Sequence, residues 1–359
     1  MQGREYTAQA RIALSNPGAV IAEFCDHMVE HNAVVSEGPE GPVLQLGRIR
    51  AQFSRDGDET LVDVAAPDLE GLYLARMSVA SHILEFAGDD PPVIAWTGDG
   101  GEIVRPPNFQ ILEVVSCRML TPHMRRLTLA GEDVARFAGL DALHLNLMVQ
   151  RPEAGEPQWP RVGANGVITW DRPELRPLMR KYTVRAVDPA AGTLDIDFVL
   201  HADAGPGAGF AQAASVGDRV GVVGPGGGGL VEADWYLFAG DETALPAIAR
   251  MLEHLPAGAR GKVFLEVADE AEVQPLTVPQ AVDVEWLFRD GPPAGGTTLL
   301  ADAVKGSAFP ANGERVYVWA GCEFEAFRAI RAFVRQERRL ANNEHLVVSY
   351  WRRGKAEGE

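Results

Sequence analysis

Residues 235–256 read WYLFAGDETALPAIARMLEHLP. Trp235–Ala239 is an apolar run that ends at Gly240, the pattern of a strand buried on both faces. A helix follows over Thr243–His254, with Thr243 placed to cap it and Pro246 in its first turn. A buried strand turning at glycine into a helix is the repeating unit of a parallel sheet. The same layout returns at Val318–Glu323, VWAGCE. Further strand-like runs lie at Lys262–Val267, Val284–Phe288, Val316–Ala320 and Leu346–Tyr350, with helical stretches at Thr298–Ala303 and Phe324–Leu340. Residues 233–359 are therefore expected to form an α/β domain with a doubly wound parallel sheet.

Upstream the period changes. Short strands are expected at Phe109–Ser116, Arg125–Ala130, His144–Val149, Lys181–Ala186, Thr193–His201 and Arg219–Val223, with one helix near Ala208–Ala214. Thr193–Leu200 alternates, placing Leu194, Ile196, Phe198 and Leu200 on one side. Residues 106–232 thus predict a small antiparallel β-barrel, closed off by the glycine run 226–229. Residues 6–98 read as a separate α+β unit. Its helices are expected at Ala19–His31 and Leu69–Phe86, and its strands at Val43–Leu46, Ile49–Phe53 and Thr60–Ala65, with a last apolar run at Val93–Trp96. The Gly- and Pro-rich stretch 97–107 reads as a linker, which gives domains at 1–105, 106–232 and 233–359.

Charge narrows the function classes. The net charge of −17 argues against nucleic acid or an anionic membrane as a partner. Residues 1–105 carry 7 basic and 17 acidic side chains, a net of −10, so the acidity sits mainly in front. Three cysteines, Cys25, Cys117 and Cys322, are too few and too far apart for a disulfide framework or a CxxC metal site. No apolar run approaches about 18 residues and the N-terminus lacks a signal pattern, so the expectation is a cytoplasmic protein without membrane insertion. Cys25, His27 and His31 share one predicted helix, but the i, i+2 step turns Cys25 away from His27, and no metal site is expected.

Three motifs carry chemistry. In Arg180-Lys-Tyr-Thr-Val-Arg185, an aromatic ring beside guanidinium groups suits a flavin ring and its diphosphate, and the Thr183 hydroxyl is placed for a hydrogen bond near flavin N5. Gly205-Pro-Gly-Ala-Gly-Phe-Ala211 is a glycine-rich turn opening a helix, which offers backbone N–H groups to phosphate. The third motif is the pair of strand–glycine–helix turns. A nicotinamide fits between them, with Gly240, Asp241, Glu242, Thr243 and Ala244 on one side and Gly321, Cys322 and Glu323 on the other. Asp241 and Glu242 serve equally well as ordinary acidic residues at a helix start.

RKYTVR (180–185), DIDFVLH (195–201), GPGAGFA (205–211), GDETALPAIARMLEHLP (240–256) and SYWRRG (349–354), in that order, make residues 106–354 resemble the siderophore-interacting protein family of FAD-dependent ferric-siderophore reductases. The resemblance implies a ferredoxin-reductase-like fold, FAD on the barrel, and NADH or NADPH as electron donor. It implies hydride transfer to FAD and single-electron transfer to Fe(III), which releases iron as Fe(II) with no catalytic acid or base. By the same resemblance Arg180, Tyr182, Thr183, Val184, Asp197, Val199 and His201 border FAD, and Gly207, Ala208, Gly209 and Phe210 hold its pyrophosphate. The family's usual GPAS and following Trp are replaced here, leaving the backbone donors but removing one hydroxyl and a larger ring. Because many siderophores are anionic, Arg126, Lys181, Arg352, Arg353 and Lys355 are the candidate substrate contacts; Arg125, Arg172 and Arg176 lie in the same basic set. Tyr350 and Trp351 are expected to border the flavin. Residues 6–98 separately resemble a small domain of unknown role, through FCDH (24–27), His31 and SHILEF (81–86). Three other readings stay open: a general flavin reductase serving a protein acceptor, a non-catalytic iron-chelate carrier, and a reductase regulated by its N-terminal domain acting as a sensor or partner-binding module. No oligomeric state is implied.

Overall fold

The computed structural model describes residues 4–31, 33–201, 204–311 and 313–355. They form two compact units, one running to Phe109 and including Arg151–Pro177, the other comprising Gln110–Gln150 and the chain from Leu178 onward.

The first unit contains β1 (Tyr6–Ile12), α1 (Pro17–Glu30), β2 (Val34–Gly38), β3 (Gly41–Leu46), β4 (Ile49–Asp56), β5 (Glu59–Ala66), α2 (Leu69–Phe86) and β6 (Trp96–Gly98). Its sheet has the order β2-β3-β4-β5-β1-β6, with antiparallel pairing throughout. Asn16 caps α1 through Ala19 N, and Asp68 caps α2 through Gly71 N at 2.7 Å. Phe24, Leu72, Val79 and Ile83 of the helices meet Phe53, Val62 and Val64 of the sheet in one buried core.

Residues 151–177, read from sequence as part of the middle domain, group with this first unit. Trp96 Nε1 donates to Asn165 O at 2.9 Å, Val162 N donates to Val104 O at 3.0 Å, and Val167 packs on the core. The short hairpin β10 (Arg161–Val162) and β11 (Ile168–Thr169) shapes this excursion.

The second unit holds two sheets. β7 (Phe109–Thr121), β8 (Met124–Ala130), β9 (His144–Val149), β12 (Leu178–Thr183), β13 (Ala186–Asp188), β14 (Thr193–Val199) and β15 (Arg219–Gly226) make a seven-stranded barrel-like sheet of order β12-β9-β15-β7-β8-β14-β13, and α3 (Pro206–Ala213) crosses between β14 and β15. The glycines after β15 are packed, because side chains on Gly228 and Gly229 would collide with Leu346 and with Leu140 O.

β16 (Trp235–Gly240), α4 (Leu245–Glu253), β17 (Arg260–Val267), β18 (Ala281–Phe288), α5 (Leu299–Gly306), β19 (Val316–Glu323), α6 (Phe324–Ala332) and β20 (His345–Trp351) form the parallel sheet, order β18-β17-β16-β19-β20. Tyr236 and Phe238 enter one core layer, and Trp235, Leu237 and Ala239 enter the other, which explains why this strand has no polar break. The helix expected over Phe324–Leu340 is α-helical only to Ala332 and continues as a wider turn over Phe333–Glu337.

Arg250 of α4 fastens the two sheets. It is 3% exposed and donates to Val184 O, Phe137 O and Gly139 O at 2.8, 2.6 and 2.9 Å. Glu272, also buried, accepts from Thr121 Oγ1 and His123 N.

Candidate functional site

The strand order reverses at β16, with β17 and β18 on one side and β19 and β20 on the other. The crevice beyond the carboxyl ends at such a reversal is where open α/β sheets bind ligands. Gly240 and Gly321 are direct register partners there, so the two turns singled out in the sequence lie side by side. Gly240 is needed by packing, since a Cβ would stand 2.5 Å from that of Ala244. Asp241 is buried between the turns. Its carboxylate accepts from Thr243 N (3.0 Å), Glu323 N (3.0 Å) and Trp351 Nε1 (2.8 Å). A small cleft of about 20 Å³ adjoins it and is lined by Glu266, Thr297, Cys322 and Glu323 among others. Glu242 forms a bidentate pair with Arg289, and Glu266 accepts from Thr297 Oγ1 and Leu300 N. Burial pushes the Cys322 thiol far up, so it presents an inert neutral group.

β12 runs antiparallel to β9, placing Thr183 opposite His144. The Tyr182 ring lies 4.4 Å, centroid to centroid, from Phe198, and its hydroxyl abuts the start of α3. A Cβ on Gly207 would stand 2.1 Å from that hydroxyl. Gly205 supplies no side-chain cap, so the N–H groups of Gly207 and Ala208 in the first helical turn keep no intrahelical partner. A ring at a strand end beside an uncapped glycine-rich helix start is a fitting cradle for a flavin with its diphosphate. Phe210 packs toward Phe198, at 6.4 Å.

β20 ties this cradle to the crevice. Tyr350 OH lies 2.6 Å from His144 Nε2 and shares a hydrogen bond with Thr183, and the next residue is Trp351, bound to Asp241. Tyr350 and Trp351, expected from the sequence to border a flavin, are hydrogen-bonded here to His144 and Asp241; His144, Arg250, Glu266 and Arg289 were not singled out in the sequence. Each is an isolated polar residue within or beside an apolar run, with no spacing to mark it.

Other expected contacts have different surroundings. Val184 is buried in the barrel core; its N–H donates to Leu143 O and its carbonyl accepts from Arg250. Arg126 is held by Asp197 through two hydrogen bonds and by Asp195 through a third, so neither Arg126 nor Asp197 presents a free charge. Arg125 donates to the carbonyls of Ala211, Gln212 and Ala214, finishing α3. Arg172 donates to Ala154 O, and both Arg172 and Arg176 belong to the first unit. Lys181, Arg352, Arg353 and Lys355 are exposed, as is His201; Val199 is half-buried, and Gly209 lies in the first turns of α3. Arg352 stacks over the Phe324 ring at 4.4 Å.

Two buried groups give opposite pH dependences. Burial lifts the Asp241 carboxyl to about 6 from 3.8. Between those values the folded protein keeps a proton that the unfolded chain has released, so stability falls as pH rises, by about 3 kcal/mol in all. Burial, with Lys181 and Arg250 nearby, lowers His144 to about 4 from 6.5. Its contribution is complete above pH 6.5 and is lost as pH falls toward 4, again about 3 kcal/mol. From about pH 4 to 6 the two slopes cancel. In urea unfolding across that range, Asp241→Asn is expected to make the protein steadily more stable as pH rises, and His144→Gln steadily less. Flat profiles in both variants would contradict this assignment.

Comparison with known proteins agrees with the layout. The family described as siderophore-interacting protein matches residues 233–354, and the siderophore-interacting FAD-binding domain matches residues 113–229. Residues 9–97 match an uncharacterized domain conserved in bacteria, DUF2218. The ferric vibriobactin reductase ViuB of Vibrio cholerae is 36% identical over 251 residues, covering 69% of this chain and 91% of that protein. A siderophore utilization protein from T. fusca is 41% identical, with a TM-score of 0.63 over 70% of this chain and 96% of that one. The siderophore-interacting protein SipS from Aeromonas hydrophila is 32% identical, with a TM-score of 0.60 over 71% and 94% of the two chains.

Proposed function

This chain belongs to the siderophore-interacting protein family, and from that premise we propose that it is an FAD-dependent NAD(P)H:ferric-siderophore reductase that releases iron as Fe(II). The observation that carries the reading is the Thr183–Tyr350–His144 cluster, which joins the strand suited to flavin to the crevice suited to nicotinamide. When bound, FAD accepts electrons in pairs and releases them singly.

The chain's own work is placement. Tyr182 would form one wall, with Arg180 two residues before it on β12, and the N–H groups of Gly207 and Ala208 at the open start of α3 would hold the pyrophosphate. Asp241 fixes Trp351 and the Glu323 turn, which sets the crevice floor between Gly240 and Gly321. Lys181, Arg352, Arg353 and Lys355 leave positive charge at the exposed rim for an anionic chelate. Fe(II) is less charged and softer than Fe(III), so hard oxygen ligands let it go. Supply of NAD(P)H puts the reaction in the cytoplasm; among the described residues no helix is long and apolar enough to cross a membrane.

Arg353→Ala combined with Lys355→Ala is expected to raise KM for an anionic ferric siderophore by about tenfold at low salt, two exposed contacts being worth roughly 1 kcal/mol or less each. KM for a neutral acceptor should not change. Equal losses with both acceptors would remove these residues from the substrate rim.

A further inference from the structure

We propose that His27, His31 and His82 of the first unit form a binding site for one divalent transition-metal ion of the class imidazole prefers: Fe(II), Co(II), Ni(II) or Zn(II). The proposal rests on the first unit alone and stands apart from the reductase reading.

His27 and His31 are four residues apart, at the end of α1 and just beyond it, and so share one face. Their Nε2 atoms are 3.2 Å apart. Two nitrogens bound at ~2.0–2.1 Å to a tetrahedral ion stand about 3.3 Å from each other, so the pair already has ligand spacing. His82 approaches from α2, its ring 4.7 Å from that of His27, centroid to centroid. Its Nδ1 lies 2.7 Å from Ser78 O. A carbonyl only accepts, so Nδ1 carries the proton and Nε2 is left with the lone pair a metal needs. Anchoring the far ring nitrogen on a carbonyl is what orients histidines at metal centres.

The surroundings favour a cation. Phe86 lies 5.8 Å from the His27 ring and 5.9 Å from that of His82, and Phe24 lies 5.8 Å from His82, so apolar walls hold the rings in place. Residues 1–105 carry a net charge of −10, which draws cations toward the unit. Cys25, grouped with these histidines in the sequence, is buried in the core, and burial raises its thiol pKa. His82 takes its place from the second helix.

Among the described residues no set of three or more His, Cys, Asp or Glu stands as it is in positions that could hold a metal ion. The proposed site is therefore a formed pair plus one adjacent ring, and closure draws the His82 ring toward the pair by a small shift of α2 that keeps its Nδ1 bond to Ser78 O. The competing use of the geometry is a hydrogen bond between His27 and His31 with no ion involved.

The test uses the untagged full chain, stripped with a chelator and titrated with Co(II). Visible d–d bands that saturate at one ion per chain and are displaced by Zn(II) are expected. His27→Gln and His31→Gln should each abolish the bands, and His82→Gln should weaken binding at least about tenfold, no less than loss of an outer-shell partner. Reduction of a neutral acceptor should be unchanged in all three. Absence of saturable bands, or binding that survives His27→Gln in a protein with the parent circular dichroism, would overturn the proposal. If a variant misfolds, the parent decides: the His27 and His82 ring signals must shift together in NMR as Zn(II) is added, and unshifted signals overturn the site.

Discussion

Arg250→Met is expected to cost about 3–5 kcal/mol of unfolding free energy and to uncouple the parallel sheet from the barrel. The guanidinium is almost fully buried and serves three carbonyls, those of Val184, Phe137 and Gly139. Methionine fills most of the volume but donates nothing, and each buried acceptor left alone costs about 1–3 kcal/mol. Removing a buried charge returns part of this, which keeps the net below the simple sum. Denaturant unfolding should become biphasic, with one sheet melting before the other. Arg185→Ala is the control: its pair with the exposed Glu253 lies nearer solvent and should cost about 1 kcal/mol or less. A single transition for Arg250→Met at the parent midpoint would mean the carbonyls find other donors.

The second large effect is expected at Gly207. In Gly207→Val the new Cβ would stand 2.1 Å from the Tyr182 hydroxyl and 2.8 Å from two ring carbons. Either the ring leaves its contact with Phe198 or α3 tilts, and each disturbs the cradle read as the flavin site. Strain of about 1–3 kcal/mol, falling wholly on the cofactor, corresponds to FAD affinity weaker by roughly 5- to 150-fold. Flavin fluorescence released on dilution measures it. Gly207→Ala combined with Tyr182→Phe removes the atom that the Cβ would strike, and should recover part of the loss. FAD affinity unchanged in Gly207→Val would place the cofactor elsewhere.

Strands and helices with a clear period could be read directly. Helix α2 was expected at its observed bounds, and β14 shows the alternation that buries Leu194, Ile196 and Phe198. β1 was missed because two of its three buried residues are alanines, which barely register as hydrophobic alternation. β2 was missed because it is an edge strand with little burial. The attachment of residues 151–177 to the first unit depends on single contacts such as Trp96 with Asn165, 69 positions apart, which no local pattern encodes.

The candidate site divides the same way. The glycine turns, the RKYT strand and the tail were visible because each chemistry needs a contiguous motif. His144 and Arg250 were not, because each acts through partners that only the fold brings near: Tyr350, and three carbonyls. The ion pair of Arg126 with Asp197 shows the converse. Both residues suit a ligand by type, and the pairing of β8 with β14 joins them to each other instead.

The most direct test of the central claim is an absorbance spectrum of the purified full chain, first as isolated, then after anaerobic NADH or NADPH, then after a ferric siderophore. The account predicts a flavin band that bleaches with the nicotinamide and returns with the ferric chelate, while Fe(II) is trapped by a ferrous-specific dye. A protein that takes up no flavin, or one whose bleached band is unmoved by every ferric chelate, would contradict it.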